Sequence, residues 1–258
     1  MSGSVSLLDT LLEPGSLSAV CQPILEVSGQ HLSLFALEHF IRGPRSTNLT
    51  DPLVIFEYAR HKRAEIQVDQ ACLAAILQAI GEAGHQHPVT INVLATTLSR
   101  VRNFPEFLFN LAEVNRLSPA RLILEIVETE PGWHTALPPV MKRLREAGVR
   151  IALSGFGGPQ SNYRRLLECE PDFIKPDVGL IRHSGSDRRR QLILQSMAAL
   201  AREFNLRIIA TGIEHKSDYQ AVTDSGITLV QGFLFAGLLS ADDSAAGDRV
   251  IQVHTLAR

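Results

Sequence analysis

From residue 89 onward, short apolar runs each stop on a polar residue: Val89 to Asn92, Leu122 to Glu125, Ile151 to Ser154, Phe173 to Lys175, Ile208 to Thr211 and Thr228 to Gln231. Between them lie segments whose apolar residues recur at helical spacing. The pattern predicts strand 89–93, helix 104–115, strand 121–127, helix 136–147, strand 149–154 and helix 160–169. It continues with strand 172–176, helix 187–204, strand 207–211, helix 216–225 and strand 227–231. Regular strand-helix alternation builds a parallel sheet, and this many units favour closure into a barrel. In such a barrel the carboxyl ends of the strands converge on one mouth, so the six polar residues read as the draft of an active-site rim.

The amino-terminal part follows a different pattern. Ser4 to Leu12 has leucines at helical spacing before a Pro14-Gly15 break, which predicts a short capping helix. Ala19 to Val27 and His31 to Ile41 read as two strands joined by the hairpin signal Ser28-Gly29-Gln30, so the barrel begins antiparallel. Asp51 to His61 opens with Asp at N-cap and Pro at N1, and Gln67 to Ala83 is a second amphipathic helix. The expected fold is α/β, a TIM-like (β/α)8 barrel with an antiparallel first strand. Residues 1–17 would form a lead-in, 18–245 the barrel and 246–258 a tail.

Composition narrows the function classes. The 258 residues suit one barrel domain, and 25 basic against 27 acidic residues give a formal charge of −2, so no global field recruits nucleic acid or an anionic membrane. Any polyanion must be held locally. Cys21, Cys72 and Cys169 are odd in number and lack paired metal-ligand spacing, which fits small core hydrophobes in a reducing cytosol. No basic region followed by an apolar stretch opens the chain, so no signal peptide is expected. The most apolar window, Leu229 to Leu239, is shorter than the ~20 residues of a membrane helix and contains Gln231. A cytoplasmic protein without membrane insertion is the expectation.

Eight fragments carry a more specific signal: Cys21-Gln22-Pro23-Ile24, Glu38-His39-Phe40-Ile41-Arg42-Gly43-Pro44, Ile91-Asn92-Val93, Glu125-Ile126-Val127-Glu128, Phe156-Gly157, Lys175-Pro176-Asp177, Thr211-Gly212-Ile213-Glu214 and Gln231-Gly232-Phe233-Leu234-Phe235. Their order resembles that of EAL domains, which hydrolyse or bind the bacterial second messenger cyclic di-GMP, over about residues 18–240. The resemblance implies a strand-helix barrel with an antiparallel first strand. In active members it implies two magnesium or manganese ions that open one phosphodiester, the logic of a two-metal site. By position, Glu38, Asn92 and Glu125 match metal ligands, Glu128 a loop-steadying glutamate, and Lys175 the lysine that positions the attacking water. Asp177 matches a second-metal carboxylate and Gln231 a glutamine at the mouth.

Two places depart from the family pattern. Ser154-Gly155 stand where active members carry paired aspartates, and Thr211 stands where they carry a catalytic glutamate, so three carboxylates are missing. Hard cations need oxygen ligands, and only bridging anions make two cations tolerable within roughly 4 Å. The expectation is therefore a degenerate member with no competent catalytic centre and no metal, Glu38, Asn92 and Glu125 being vestigial ligands. Magnesium or manganese would matter only to residual activity.

Cyclic di-GMP itself is the expected ligand, gripped by Gln22, Glu38, Phe40, Ile41, Arg42, Asn92, Lys175, Asp177 and Gln231, with Arg42 offering a forked donor set and the glutamines amide groups for guanine edges. The expected function is that of a nucleotide receptor or protein-interaction regulator with an unidentified protein partner, and a homodimer through helix 160–169. The alternatives are a weak metal-dependent phosphodiesterase and a protein-binding module without nucleotide. Arg188-Arg189-Arg190 read as a solvated helix start, and Trp133 is left between lining the mouth and making a partner contact.

Overall fold

The computed structural model describes residues 6–45, 47–127, 137–159, 161–235 and 237, and the backbone of 239 and 240. Helix α1 (Leu7–Leu12) starts with a reciprocal capping box between Ser6 and Asp9 and buries Leu11 in the core. Strands β1 (Ser18–Ser28) and β2 (His31–Arg42) then form the antiparallel hairpin. The turn at Gly29, φ +62°, needs a residue that tolerates the left-handed region. Helix α2 (Pro52–His61) is capped by Asp51, whose Oδ1 accepts the Leu53 N–H at 2.8 Å. Helix α3 (Glu65–Ala83) ends on the left-handed Gly84.

Parallel strands follow: β3 (Val89–Leu94), β4 (Leu122–Val127), β5 (Arg150–Phe156), β6 (Phe173–Pro176), β7 (Arg207–Ala210) and β8 (Leu229–Val230). They alternate with α4 (Ala95–Arg100), α5 (Phe104–Val114), α6 (Leu137–Glu146), α7 (Arg164–Cys169), α8 (Val178–Ile181), α9 (Arg188–Glu203) and α10 (Lys216–Asp224). The strand order β2-β3-β4-β5-β6-β7-β8-β1, with β1 pairing back to β2, closes an eight-stranded barrel whose first strand is antiparallel. A short strand β9 (Leu239–Ser240) pairs with β1 at Val20 and Cys21, on the edge that β8 uses at Leu25 and Glu26.

The expected architecture is therefore the observed one, with local differences. The short helices α4 and α8 and strand β9 have too few residues to show a period. Helix α7 begins at Arg164 rather than 160, after a turn at Tyr163 in which Asn162 Oδ1 accepts the Arg164 N–H at 2.9 Å. The expected tail, Glu128 and Trp133 lie outside the described residues. No described helix is long and apolar enough to cross a membrane.

Alternation along the strands layers the barrel interior. Ile24, Ala36, Ile123, Ala152, Phe173, Ile209 and Leu229 form one buried apolar cluster, with Phe35 packed against it, and Thr90 is fully buried at the corresponding place on β3. On the amino-terminal side, Arg150 and Arg207 lie over the Phe35 ring and Arg207 pairs with Glu26, closing that mouth. Because side chains on a strand repeat every two residues, a step of two from each apolar residue leads to the other mouth.

Candidate functional site

Those steps end on Glu38, Asn92, Glu125, Ser154, Lys175, Thr211 and Gln231, and on Gln22 when β1 is followed in its reversed direction. Pairing brings them side by side: Gln22 opposite Glu38 across the hairpin, Asn92 beside Glu125 in the parallel register of β3 and β4. All eight line one cavity of about 450 Å³, together with Phe40, Gly155, Pro176, Asp177, Val178 and Gly212. That is the size of a small-molecule pocket.

At its floor the Lys175 ammonium donates to Glu38 Oε2 at 2.6 Å and to Glu125 Oε2 at 2.5 Å. All three side chains are about 95% buried. Asn92 Nδ2 donates to the second Glu38 oxygen, Oε1, at 3.3 Å. Burial opposes ionisation of Glu38, but the charge and hydrogen bond of Lys175, with hydrogen bonds from Gln231 and Asn92, outweigh it and hold the carboxyl below its ordinary range. Burial pushes Glu125 up to about 7, against Lys175 and with help from the charge of Glu38. Burial also disfavours the Lys175 ammonium, yet its two carboxylate partners raise its pKa. The cluster is a Lys175–Glu38 ion pair with Glu125 as the carboxylate closer to neutrality.

Around this floor the wall is short of charge. Ser154, Gly155 and Thr211 contribute hydroxyls and bare backbone, and the Ser154 hydroxyl hydrogen-bonds Glu125. The Asp177 carboxylate is partly used in capping α8, its Oδ1 accepting the Gly179 N–H at 2.8 Å. Gln231 is buried, and its Oε1 has no partner. Among the described residues that line the cavity, Lys175 is the single cation. Among the described residues no group of three His, Cys, Asp or Glu side chains is arranged to hold a metal ion.

Two expected nucleotide contacts lie elsewhere. Ile41 is 4% exposed and belongs to the core between barrel and helices, because it alternates out of the face that carries Glu38 and Phe40. Arg42 shares that face by parity, yet its Nη1 turns back to its neighbour's carbonyl, Ile41 O, at 2.8 Å, and it does not line the cavity. Pro176, Val178 and Gly212 line the cavity although the strand-end pattern does not single them out; Pro176 and Gly212 adjoin the strand-end residues Lys175 and Thr211, and that adjacency is the available signal, while Val178 follows Asp177 at the start of α8. Arg190 is folded onto Asp187 and donates to Gly179 O, so the arginine run is tied into the α8–α9 junction at one of its three members.

Comparison with known proteins gives the same frame. The model of the family described as EAL domain matches residues 5–237. The blue light- and temperature-regulated antirepressor BluF of Escherichia coli K12 is 28% identical over 149 residues, 57% of this chain and 37% of its own length. The cyclic di-GMP phosphodiesterase NbdA of Pseudomonas aeruginosa is 28% identical over 162 residues, 62% of this chain and 21% of its own. The chain thus spans well under half the length of these curated relatives. Klebsiella pneumoniae BlrP1, in a manganese and cyclic di-GMP complex at pH 6, superimposes with a TM-score of 0.78 at 25% identity, over 89% of this chain and 57% of that one. BlrP1 with FMN and cyclic di-GMP but no metal ions gives a TM-score of 0.72 at 22% identity, over 88% and 55%.

Proposed function

The chain belongs to the EAL domain family, and from that membership we propose that it binds cyclic di-GMP in the Lys175 cavity without hydrolysing it. The observation that carries this reading is the pairing of one ammonium with both floor carboxylates beneath a wall of Ser154, Gly155 and Thr211. A pair of divalent cations does not fit that donor set. Two dications 4 Å apart repel by roughly 16 kcal/mol at an effective dielectric constant of 20, about four times the figure for two unit charges, and bridging carboxylates are what offset it. Here no side chain on that wall can bridge, and Glu38 and Glu125 are already neutralised in part by Lys175.

Losing those carboxylates favours a metal-free dianion. A carboxylate 4 Å from a phosphate charge costs about 4 kcal/mol at the same dielectric constant, so three neutral positions remove a large repulsion. The remaining groups then have defined work: Lys175 faces a phosphate, the unpartnered Gln231 Oε1 accepts from an N–H or O–H of the ligand, Gln22 offers an amide, and Phe40 and Val178 offer apolar surface. That BlrP1 holds cyclic di-GMP without metal ions supports the same mode.

A receptor of this kind acts on a second protein, and a homodimer or partner contact through α7 is supported by Tyr163 at its N-cap and Leu167 within it, 66% and 70% exposed. All three cysteines are buried, which supports a reducing, cytoplasmic setting. Long incubation with cyclic di-GMP and manganese, followed by chromatography, tests the absence of turnover. The dinucleotide should stay cyclic, and linear product above a Lys175→Ala control would overturn the reading.

A further inference from the structure

Asp69 is a carboxylate on a helix face that is otherwise apolar. It shares the inward side of α3 with Cys72, Leu73 and Ile76, is 2% exposed, and stands outside the cavity. Its Oδ2 accepts the backbone N–H of Leu94 at 3.0 Å. Leu94 is at once the last residue of β3 and the N-cap of α4. In a capping box the N-cap N–H is taken by an acid in the helix's own first turn; here that place holds Thr97, and the acid comes from a neighbouring helix instead. Two residues before Leu94 on β3, Asn92 lines the cavity and reaches Glu38. Between them lies only Val93, 1% exposed and packed in the core, so a displacement at Leu94 is passed on to Asn92.

We propose that Asp69 is a positioning residue: by holding the Leu94 N–H it fixes the end of β3 and so aims the Asn92 amide at Glu38 in the nucleotide cavity. The role of the cavity rests on the function proposed above; the geometry does not. A buried carboxylate with this bond is otherwise a cost to the fold, since burial pushes it up to about 7.

The test compares Asp69→Ala with Asp69→Asn, whose amide oxygen still accepts the Leu94 N–H. In the ligand-free protein, the Asn92 side-chain amide resonance, assigned with Asn92→Ala, should move in Asp69→Ala and return to the wild-type position in Asp69→Asn. Cyclic di-GMP affinity should fall about tenfold in the first and hold in the second, as for one lost hydrogen bond. An unmoved resonance in Asp69→Ala, or an Asp69→Asn variant that behaves like it, overturns the proposal. Should Asp69→Ala not fold, hydrogen exchange at the wild-type Leu94 amide decides: strong protection supports the bond, and exchange at the rate of an exposed loop overturns it. Because the resonance is read without ligand, a wild type that binds no cyclic di-GMP would overturn the function and not this assignment.

Discussion

Lys175 Nζ donates to Glu38 Oε2 at 2.6 Å across 137 residues of sequence, and the same ammonium bonds Glu125 at 2.5 Å. Replacing it by methionine leaves two buried carboxylates sharing a site with no counter-charge. Breaking a buried pair in this way costs about 3–5 kcal/mol. Urea unfolding of Lys175→Met should show a loss of that size, and Lys175→Met combined with Glu125→Gln should recover part of it. A Lys175→Met protein as stable as wild type would show that the ammonium does not clamp the cavity floor.

Restoring carboxylates should restore metal binding. Gly155 has φ +62°, which aspartate tolerates better than most residues, and no atom lies within 4 Å of where its Cβ would be. The triple variant Ser154→Asp, Gly155→Asp, Thr211→Glu should therefore fold, gain a manganese-dependent rise in melting temperature and release linear dinucleotide. Wild type should show neither. A triple variant that folds but ignores manganese would mean that the missing carboxylates are not what separates this cavity from a two-metal site.

Asp69 gives stability a pH dependence of known sign. Its folded pKa of about 7 lies above the ordinary 3.8, so between those values the folded state keeps a proton that the unfolded state releases. The stability it contributes is present at the acid end and is lost as pH rises from about 4 to 7. His39 and His85 run the other way: burial, then their neighbours' charge, hold both near 4 against 6.5, so their contribution is lost as pH falls through that range. Subtraction isolates the aspartate. Wild type should lose up to about 4 kcal/mol relative to Asp69→Asn from pH 4 to 7, since each tenfold difference in proton affinity between the folded and unfolded states is worth about 1.4 kcal/mol. A difference that stays constant with pH would contradict the assignment.

The rim was legible in the sequence because alternation and strand ends are local facts. An apolar run that stops on Asn92, Glu125 or Lys175 says which residue faces the mouth. Period two also separates Phe40 from Ile41, although both were expected to touch the nucleotide. Arg42 was not legible, since its turn toward Ile41 O depends on side-chain conformation rather than on strand parity. Nor was the grouping of Lys175 with Glu38 and Glu125, which needs strands 50 and 137 residues apart in sequence to meet. Asp69 did leave a trace, a charge at helical spacing with Cys72, Leu73 and Ile76, but its partner Leu94 could be found only in three dimensions.

Binding without metal or turnover is the central claim, and titration calorimetry of the wild-type chain with cyclic di-GMP in EDTA tests it most directly. Saturable heat is expected at tens of micromolar protein, with intact cyclic dinucleotide recovered afterwards. No heat, or recovery of the linear form, would contradict it.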